Sequence, residues 1–152
     1  MIMEEKIQLS QEMLMKAVLA NTTSATKISK ILCEHSEDKI LKADEIILGL
    51  IYRLMIPMTY EEMTQSINEA ESVLYAESSD EESEEENIIV DTDDTDDLSV
   101  PRKIKCNSCN CEICMRCRIC LSNFNDFIPK DNLGDLFKNS ILETCKTHNR
   151  IL

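Results

Sequence analysis

Apolar residues recur at helical spacing along the first 76 residues of the chain. Ser10 can serve as the N-cap of a first helix, and the short polar residues 21–23 predict a break in it. A second helix should then run from Ala25 to His35. The predicted apolar stripe of the first helix is Met13, Leu14, Ala17 and Val18. The second helix places Ala25, Ile28, Ile31, Leu32 and His35 on one face.

Two further helices follow from the same pattern. The stretch Ala43–Ile56 is apolar nearly all round, which is typical of a helix in the middle of a bundle or in an interface. Pro57 ends it, and Thr59 with Glu62 forms a capping box for a fourth helix. The stripe of that helix is Met63, Ile67, Ala70 and Leu74. Residues 1–76 are therefore predicted to form a small helical bundle, whose limited core favours docking on another copy or a partner.

The last third of the chain has a different pattern, dominated by cysteine. Its spacing is C-x2-C-x-C-x2-C-x2-C-x2-C, then 24 residues, then C-x2-H. Eight ligands of these types fill two tetrahedral sites, so the sequence predicts two zinc ions. The predicted ligands are Cys106, Cys109, Cys111, Cys114, Cys117, Cys120, Cys145 and His148.

The spacing leaves the division of these ligands open. Cysteines two residues apart suit a tight turn that aims both thiolates at one ion. Asp131 or Asn132 should open a last helix that carries Cys145 and His148 near its end. In one arrangement these two residues share an ion with the third cysteine pair, and the first two pairs share the other. In a cross-brace, the first and third pairs share one ion, and the second pair joins Cys145 and His148.

Other cysteine chemistries fit the sequence pattern less well than zinc binding does. Disulfides leave one of these seven cysteines over, and the last spacing of the run 111–120 differs from that of bacterial ferredoxins. A metallothionein-like buffer needs neither the helix nor His148. In the second predicted helix, Cys33 and His35 are interpreted as a core thiol and a surface imidazole, because residues two apart face different sides of a helix.

Charge divides the chain into three parts: a helical domain (1–76), an acidic linker (77–100) and a zinc-binding module (101–152). The linker holds 12 acidic residues and no Lys or Arg, which accounts for most of the net charge of −13. Such a composition predicts disorder. Within the linker, a short apolar segment flanked by acids resembles a SUMO-interacting motif in form; the alternative is an incidental apolar triplet. Separately, three serines each have an acidic residue three positions later, a pattern that resembles the sites of acidophilic kinases. These residues are Ile88, Ile89, Val90 and Asp91 for partner binding, and Ser78, Ser79 and Ser83 for phosphorylation.

The composition predicts a mainly α fold. With 2 Gly, no Trp and 4% aromatic residues, a β-sandwich or a large mixed sheet is disfavoured. No secretory signal and no apolar run long enough to span a bilayer can be recognised. We therefore expect an intracellular protein, in the cytoplasm or nucleus of the cell or host cell.

Part of the zinc-binding module resembles a RING finger. Cys117-Arg118-Ile119-Cys120 matches the opening C-x-I-C of that family, and Cys145-Lys146-Thr147-His148 matches its central Cys/His pair. The resemblance implies a cross-brace or treble-clef zinc fold and a ubiquitin ligase that recruits a conjugating enzyme. The mixture of Ile, Lys, Asn and Met with a small metal module also resembles proteins of large DNA viruses.

The sequence favours a non-enzymatic zinc-binding adaptor that docks partners through the two-zinc module and assembles through the helical domain. A second copy of the chain is one candidate for that assembly. A divergent RING-like ubiquitin ligase and a zinc-finger transcription regulator are the alternatives. Protein partners are favoured over nucleic acid because no recognition helix rich in Arg, Asn or Gln is present. The acidic linker would also compete with phosphates.

Overall fold

A computed structural model describes residues 2–75 and 100–152 of the protein. Within these ranges the chain is mainly helical, which confirms the predicted fold class. The helices are α1 (Ile2–Glu34), α2 (Ala43–Met55), α3 (Tyr60–Leu74), α4 (Glu112–Asn123) and α5 (Asn132–Thr147), with a 3-10 turn at Phe124–Asp126. The predicted disorder of the linker, the apolar segment Ile88–Asp91 and the phosphorylation candidates Ser78, Ser79 and Ser83 lie outside the described residues.

Helix α1 is continuous, so the predicted break at residues 21–23 is wrong. Asn21 Nδ2 donates to the carbonyl of Ala17 at 2.8 Å, and Thr22 Oγ1 donates to the carbonyl of Val18 at 2.9 Å. These side chains bond one turn back along the helix instead of competing for the backbone that follows. Short polar residues are therefore absorbed into the helix.

The described residues form two compact units. The first unit comprises residues 2–24 and 58–75, and the second comprises residues 25–57 and 100–152. Helix α1 contributes to both. The predicted domain bounds were drawn from the charge distribution along the sequence, whereas these units are defined by contacts between residues. The domain bounds therefore stay a prediction.

In the first unit the buried side chains are small. Ala20, Ser24, Ser66 and Ala70 are buried. Large residues of the predicted apolar stripes are exposed instead: Met13 64%, Leu14 52% and Val18 46% in α1, and Met63 40% in α3. The prediction that these residues form an aliphatic core is wrong. The capping box that begins α3 is confirmed, with Glu62 N donating to Thr59 Oγ1 at 3.2 Å and Thr59 N donating to Glu62 Oε2 at 3.3 Å.

The second unit holds the main hydrophobic core with α2 at its centre, where α2 packs on the C-terminal helices and not in the middle of a bundle of residues 1–76. Helix α2 contacts both α4 and α5, and Ile47, Leu48 and Ile51 are at most 1% exposed. Phe124 completes this core with no exposed surface. The cap of α5 is confirmed, because Gly134 N donates to Asp131 Oδ1 at 2.7 Å.

A buried carboxylate joins α2 to the ends of the C-terminal segment. Strands β1 (Arg102–Lys103) and β2 (Arg150–Ile151) pair in parallel, and Asp44, 3% exposed, accepts hydrogen bonds from both arginines. Arg102 Nη1 lies 2.8 Å and Arg150 Nε 3.0 Å from the carboxylate oxygens. The backbone N–H of Lys105 also donates to Asp44, at 3.1 Å. Asp44 thus fixes the segment just before Cys106 and the strand just after α5.

Candidate metal centre

One imidazole and three thiols meet in the second unit. His35 directly follows the end of α1, and its backbone N–H donates to Ile31 O at 3.1 Å. Its Nδ1 lies 3.4 Å from Cys109 Sγ, 3.3 Å from Cys111 Sγ and 3.4 Å from Cys114 Sγ. All four ligand atoms lie within 4.8 Å of one another. His35 is solvent-exposed as interpreted from the sequence, but it also belongs to a candidate metal-ligand group that this interpretation left out.

Local folding explains how the three thiols reach one point. Cys111 is the N-cap of α4, and its sulfur accepts from Cys114 N at 3.5 Å. The N–H of Cys111 in turn donates to Cys109 Sγ at 3.5 Å. A sulfur at an N-cap takes the role that an oxygen usually has in satisfying the free N–H groups of the first turn. The expected tight turn between paired cysteines is wrong beyond Cys111, because Cys114, Cys117 and Cys120 lie on a helix.

Asn107 supports the site and was missed by the sequence analysis. Its Nδ2 donates to Leu32 O at 3.1 Å and to Cys114 Sγ at 3.4 Å, while its Oδ1 accepts from Cys109 N at 3.1 Å. Asn107 therefore connects α1 to the thiol of Cys114 and to the backbone of Cys109. Arg118 Nη1 donates to the carbonyl of Asn107 at 2.7 Å and steadies this loop from α4.

The electrostatics of the thiols differ along the start of α4. The hydrogen bond from Cys114 N lowers the pKa of Cys111 to about 6, so this thiolate forms more readily than that of Cys114. Burial raises the pKa of Cys114 to about 12. A bound cation would displace the proton of Cys114, since thiolates and not thiols ligate metals. One nitrogen and three sulfurs are a donor set that fits a tetrahedral zinc-type ion.

The structure brings together three of the eight predicted ligands and adds His35. The core of the second unit contains Cys117, Cys120 and Cys145, and the half-buried Cys106 packs against it. Burial raises the pKa of all four thiols, that of Cys117 to about 12. His148 is exposed at the C-cap of α5. In residues 2–75 and 100–152, no second set of three Cys, His, Asp or Glu ligand atoms is as tightly grouped. Ligation by these five residues stays a prediction.

The grouping around His35 is relevant to the two ways of dividing the cysteine ligands between two ions that the sequence spacing left open. Cys109 shares a site with Cys111 and Cys114, which agrees with the first arrangement and not with the cross-brace. No spacing rule could have found His35, because 76 residues separate it from Cys111. The tail already supplied eight ligands, so the sequence contained no sign that a ninth was needed.

No family model, curated protein or solved structure matches this chain. The RING-like resemblance and the likeness to viral proteins thus rest on the sequence pattern alone. In the part of the chain that the structure describes, none of the helices has the length and apolar character needed to cross a bilayer.

Proposed function

We propose that the protein is a zinc-binding adaptor in which His35, Cys109, Cys111 and Cys114 hold one zinc ion. The observation that supports this most is the convergence of four soft donors from two segments at least 74 residues apart in sequence. Four protein ligands leave no open position for a substrate, which is typical of structural zinc. The ion fastens the end of α1 to the cysteine-rich segment and stabilises the surface around α4.

The exposed side of α4 supports protein docking. Met115 is 45% and Ile119 57% exposed, and they lie four residues apart on one face of the helix. Arg116 lies between them and pairs with Glu112 at 2.5 Å. Apolar residues beside a charged side chain on a metal-stabilised helix suit the centre of a protein interface better than a phosphate-binding surface.

The metal part of the proposal is tested by elemental analysis of full-length protein purified without added metal. Zinc should be present, and His35→Ala should lower its affinity at least about 100-fold, beyond the 10–100-fold that changes around a metal ligand typically cost. Cys33→Ser is the matched control, since Cys33 lies near the same helix end and outside the group. A protein without zinc, or unchanged zinc affinity in His35→Ala, would contradict the proposal.

The adaptor part is tested with a partner identified by cross-linking to the full chain. Ile119→Asp should abolish capture of that partner while zinc content stays unchanged. Val73→Asp, which alters another solvent-facing apolar residue (78% exposed) in α3, is the control. Discharge of a ubiquitin-charged conjugating enzyme would instead support a ligase, and a salt-dependent shift of DNA or RNA would support a transcription regulator.

A further inference from the structure

The end of α1 is completed by a residue from the cysteine-rich loop. The backbone N–H of Ser36, which would reach Leu32 O in a continuing helix, donates to Cys33 O at 3.2 Å instead. Leu32 O accepts from Asn107 Nδ2 at 3.1 Å. The last carbonyls of a helix have no partner within it, and side chains can satisfy them. Asn107, 75 positions away in sequence, thus supports the helix end that leads to His35.

The same carboxamide contacts two residues of the candidate metal centre. Its Nδ2 also donates to Cys114 Sγ at 3.4 Å, and its Oδ1 accepts from Cys109 N at 3.1 Å. These partners define the orientation of the amide, because the N–H of Cys109 can only donate and the carbonyl of Leu32 can only accept. Arg118 Nη1 holds the backbone of Asn107 by donating to its carbonyl at 2.7 Å. Both polar atoms of the Asn107 side chain therefore have specific partners.

Each of the three thiols of the centre accepts an N–H hydrogen bond, and for Cys114 the donor is a side chain. Cys111 N donates to Cys109 Sγ, and Cys114 N donates to Cys111 Sγ, both at 3.5 Å. Cys114 is fully buried, so water cannot solvate the charge that its thiolate carries when it ligates an ion. Asn107 Nδ2 is the donor that the structure gives to this sulfur.

We infer that Asn107 is a positioning residue of the metal centre. Its N–H group stabilises the charge of the Cys114 thiolate, and its other two bonds keep Cys109 and the end of α1 in place for the ion. A divalent cation with three thiolates and a neutral imidazole leaves the centre negatively charged, so a donor stabilises it and a further acceptor destabilises it. The inference rests on the proposed function, since it requires a metal ion at these four ligands.

Two substitutions of Asn107 separate a donor from a residue that only holds the loop. Asn107→Asp keeps the shape and the oxygen that accepts from Cys109 N, but it places an acceptor opposite Cys114 Sγ. Asn107→Leu keeps the branching and removes both polar groups. We expect zinc affinity to fall by about 100-fold in Asn107→Asp and by about 10-fold in Asn107→Leu, the range typical of changes around a metal ligand. A residue that only holds the loop predicts the reverse order, because aspartate keeps one of the hydrogen bonds.

The affinities are measured on reduced, full-length protein by competition with a chromophoric chelator. Asn110→Asp is the matched control, since it adds the same charge to an exposed residue of the same loop. It should bind zinc nearly as tightly as the wild type. A loss in Asn107→Asp that exceeds the loss in this control is therefore due to the position of the charge and not to the charge alone.

A measurement on the unaltered chain tests the same contact even if a variant does not fold. In full-length protein loaded with cadmium-113, nuclear magnetic resonance detects scalar coupling from the metal, through a sulfur ligand, to an N–H group that is hydrogen-bonded to that sulfur. We expect such coupling at the side-chain amide of Asn107 and at the backbone amides of Cys111 and Cys114. The three bonds to sulfur are of similar length, so the two backbone amides are the internal standard.

Coupling at both backbone amides without coupling at Asn107 would overturn the inference. Unchanged zinc affinity in Asn107→Asp, or a smaller loss there than in Asn107→Leu, would overturn it as well. Both results leave the proposed function standing as long as His35→Ala loses its affinity for zinc. A wild-type chain that takes up no zinc would instead contradict the proposed function, and the inference with it.

Discussion

The two units of the molecule are stabilised in different ways. In the second unit, nearly inaccessible aliphatic residues of α2, a buried Asp44–arginine network and seven cysteines share one region. In the first unit, the buried residues are alanine and serine, and large residues such as Met13 and Met63 remain exposed. Helices with so little buried apolar surface depend mainly on caps and intrinsic propensity, which give marginal stability. The candidate metal ligands therefore lie in the better-packed of the two units.

Metal removal should produce the largest difference in stability between the two units. A chelator under reducing conditions is expected to abolish amide-exchange protection in residues 100–152, since structural zinc in small domains contributes about 10–16 kcal/mol of apparent binding free energy. Residues 60–74 should keep their exchange rates. Hydrogen exchange read by mass spectrometry reports both regions in one sample. An equal loss of exchange protection in residues 100–152 and 60–74 would contradict the conclusion that the two units are stabilised in different ways.

Loss of the Asp44 carboxylate should have the next largest effect. Asp44→Ala removes the buried carboxylate that pairs with Arg150, itself 7% exposed. Removing one member of a buried ion pair costs about 3–5 kcal/mol, so we expect a loss of that size in chemical denaturation of the metal-loaded protein. Glu112→Gln is the matched control on α4. It breaks an exposed pair, which contributes less than about 1 kcal/mol.

A smaller change in stability is expected from disturbing the close packing of α1 on α2 in the second unit. A Cβ at Gly49 would lie 2.5 Å from the carbonyl oxygen of Ala25 and would also overlap Ser29 Oγ. Gly49→Ala should therefore destabilise the second unit by about 1–3 kcal/mol, although alanine is the better helix former by about 1 kcal/mol. Thermal unfolding measures the net change. A stabilised variant would mean that Ser29 can rotate away and the backbone can shift at no cost.

Local signals in the sequence were sufficient for several elements. Thr59 with Glu62 and Asp131 each predicted a helix start, because a cap is encoded within three or four residues. Pro57 likewise marked the end of α2. The break predicted at residues 21–23 failed, since Asn21 and Thr22 can bond backwards as well as break a helix. Asn and Thr can either bond back to the preceding turn of a helix or end the helix, and the surrounding residues decide which of the two occurs.

The candidate site could be predicted only in part. Three residues from one cysteine to the next suit both a tight turn and one helical turn, so the spacing of Cys114, Cys117 and Cys120 did not reveal α4. The ligand type and the metal-binding character followed from cysteine and histidine chemistry alone. His35 depends on a contact between distant segments, and neither period nor spacing contains that information. The inner face predicted for α1 failed for a similar reason, since an apolar stripe does not specify whether a partner covers it.

The smallest expected effect belongs to the first unit. Thr59→Ala removes the side-chain oxygen that accepts from Glu62 N, so the first turn of α3 loses one satisfied donor. An N-cap of this kind contributes about 1 kcal/mol, and exchange protection in residues 60–64 should fall by about fivefold. Thr59→Ser, which keeps the oxygen, is the control. Because the second unit does not depend on this cap, its unfolding midpoint should not move. A matching shift there would mean that the two units unfold as one.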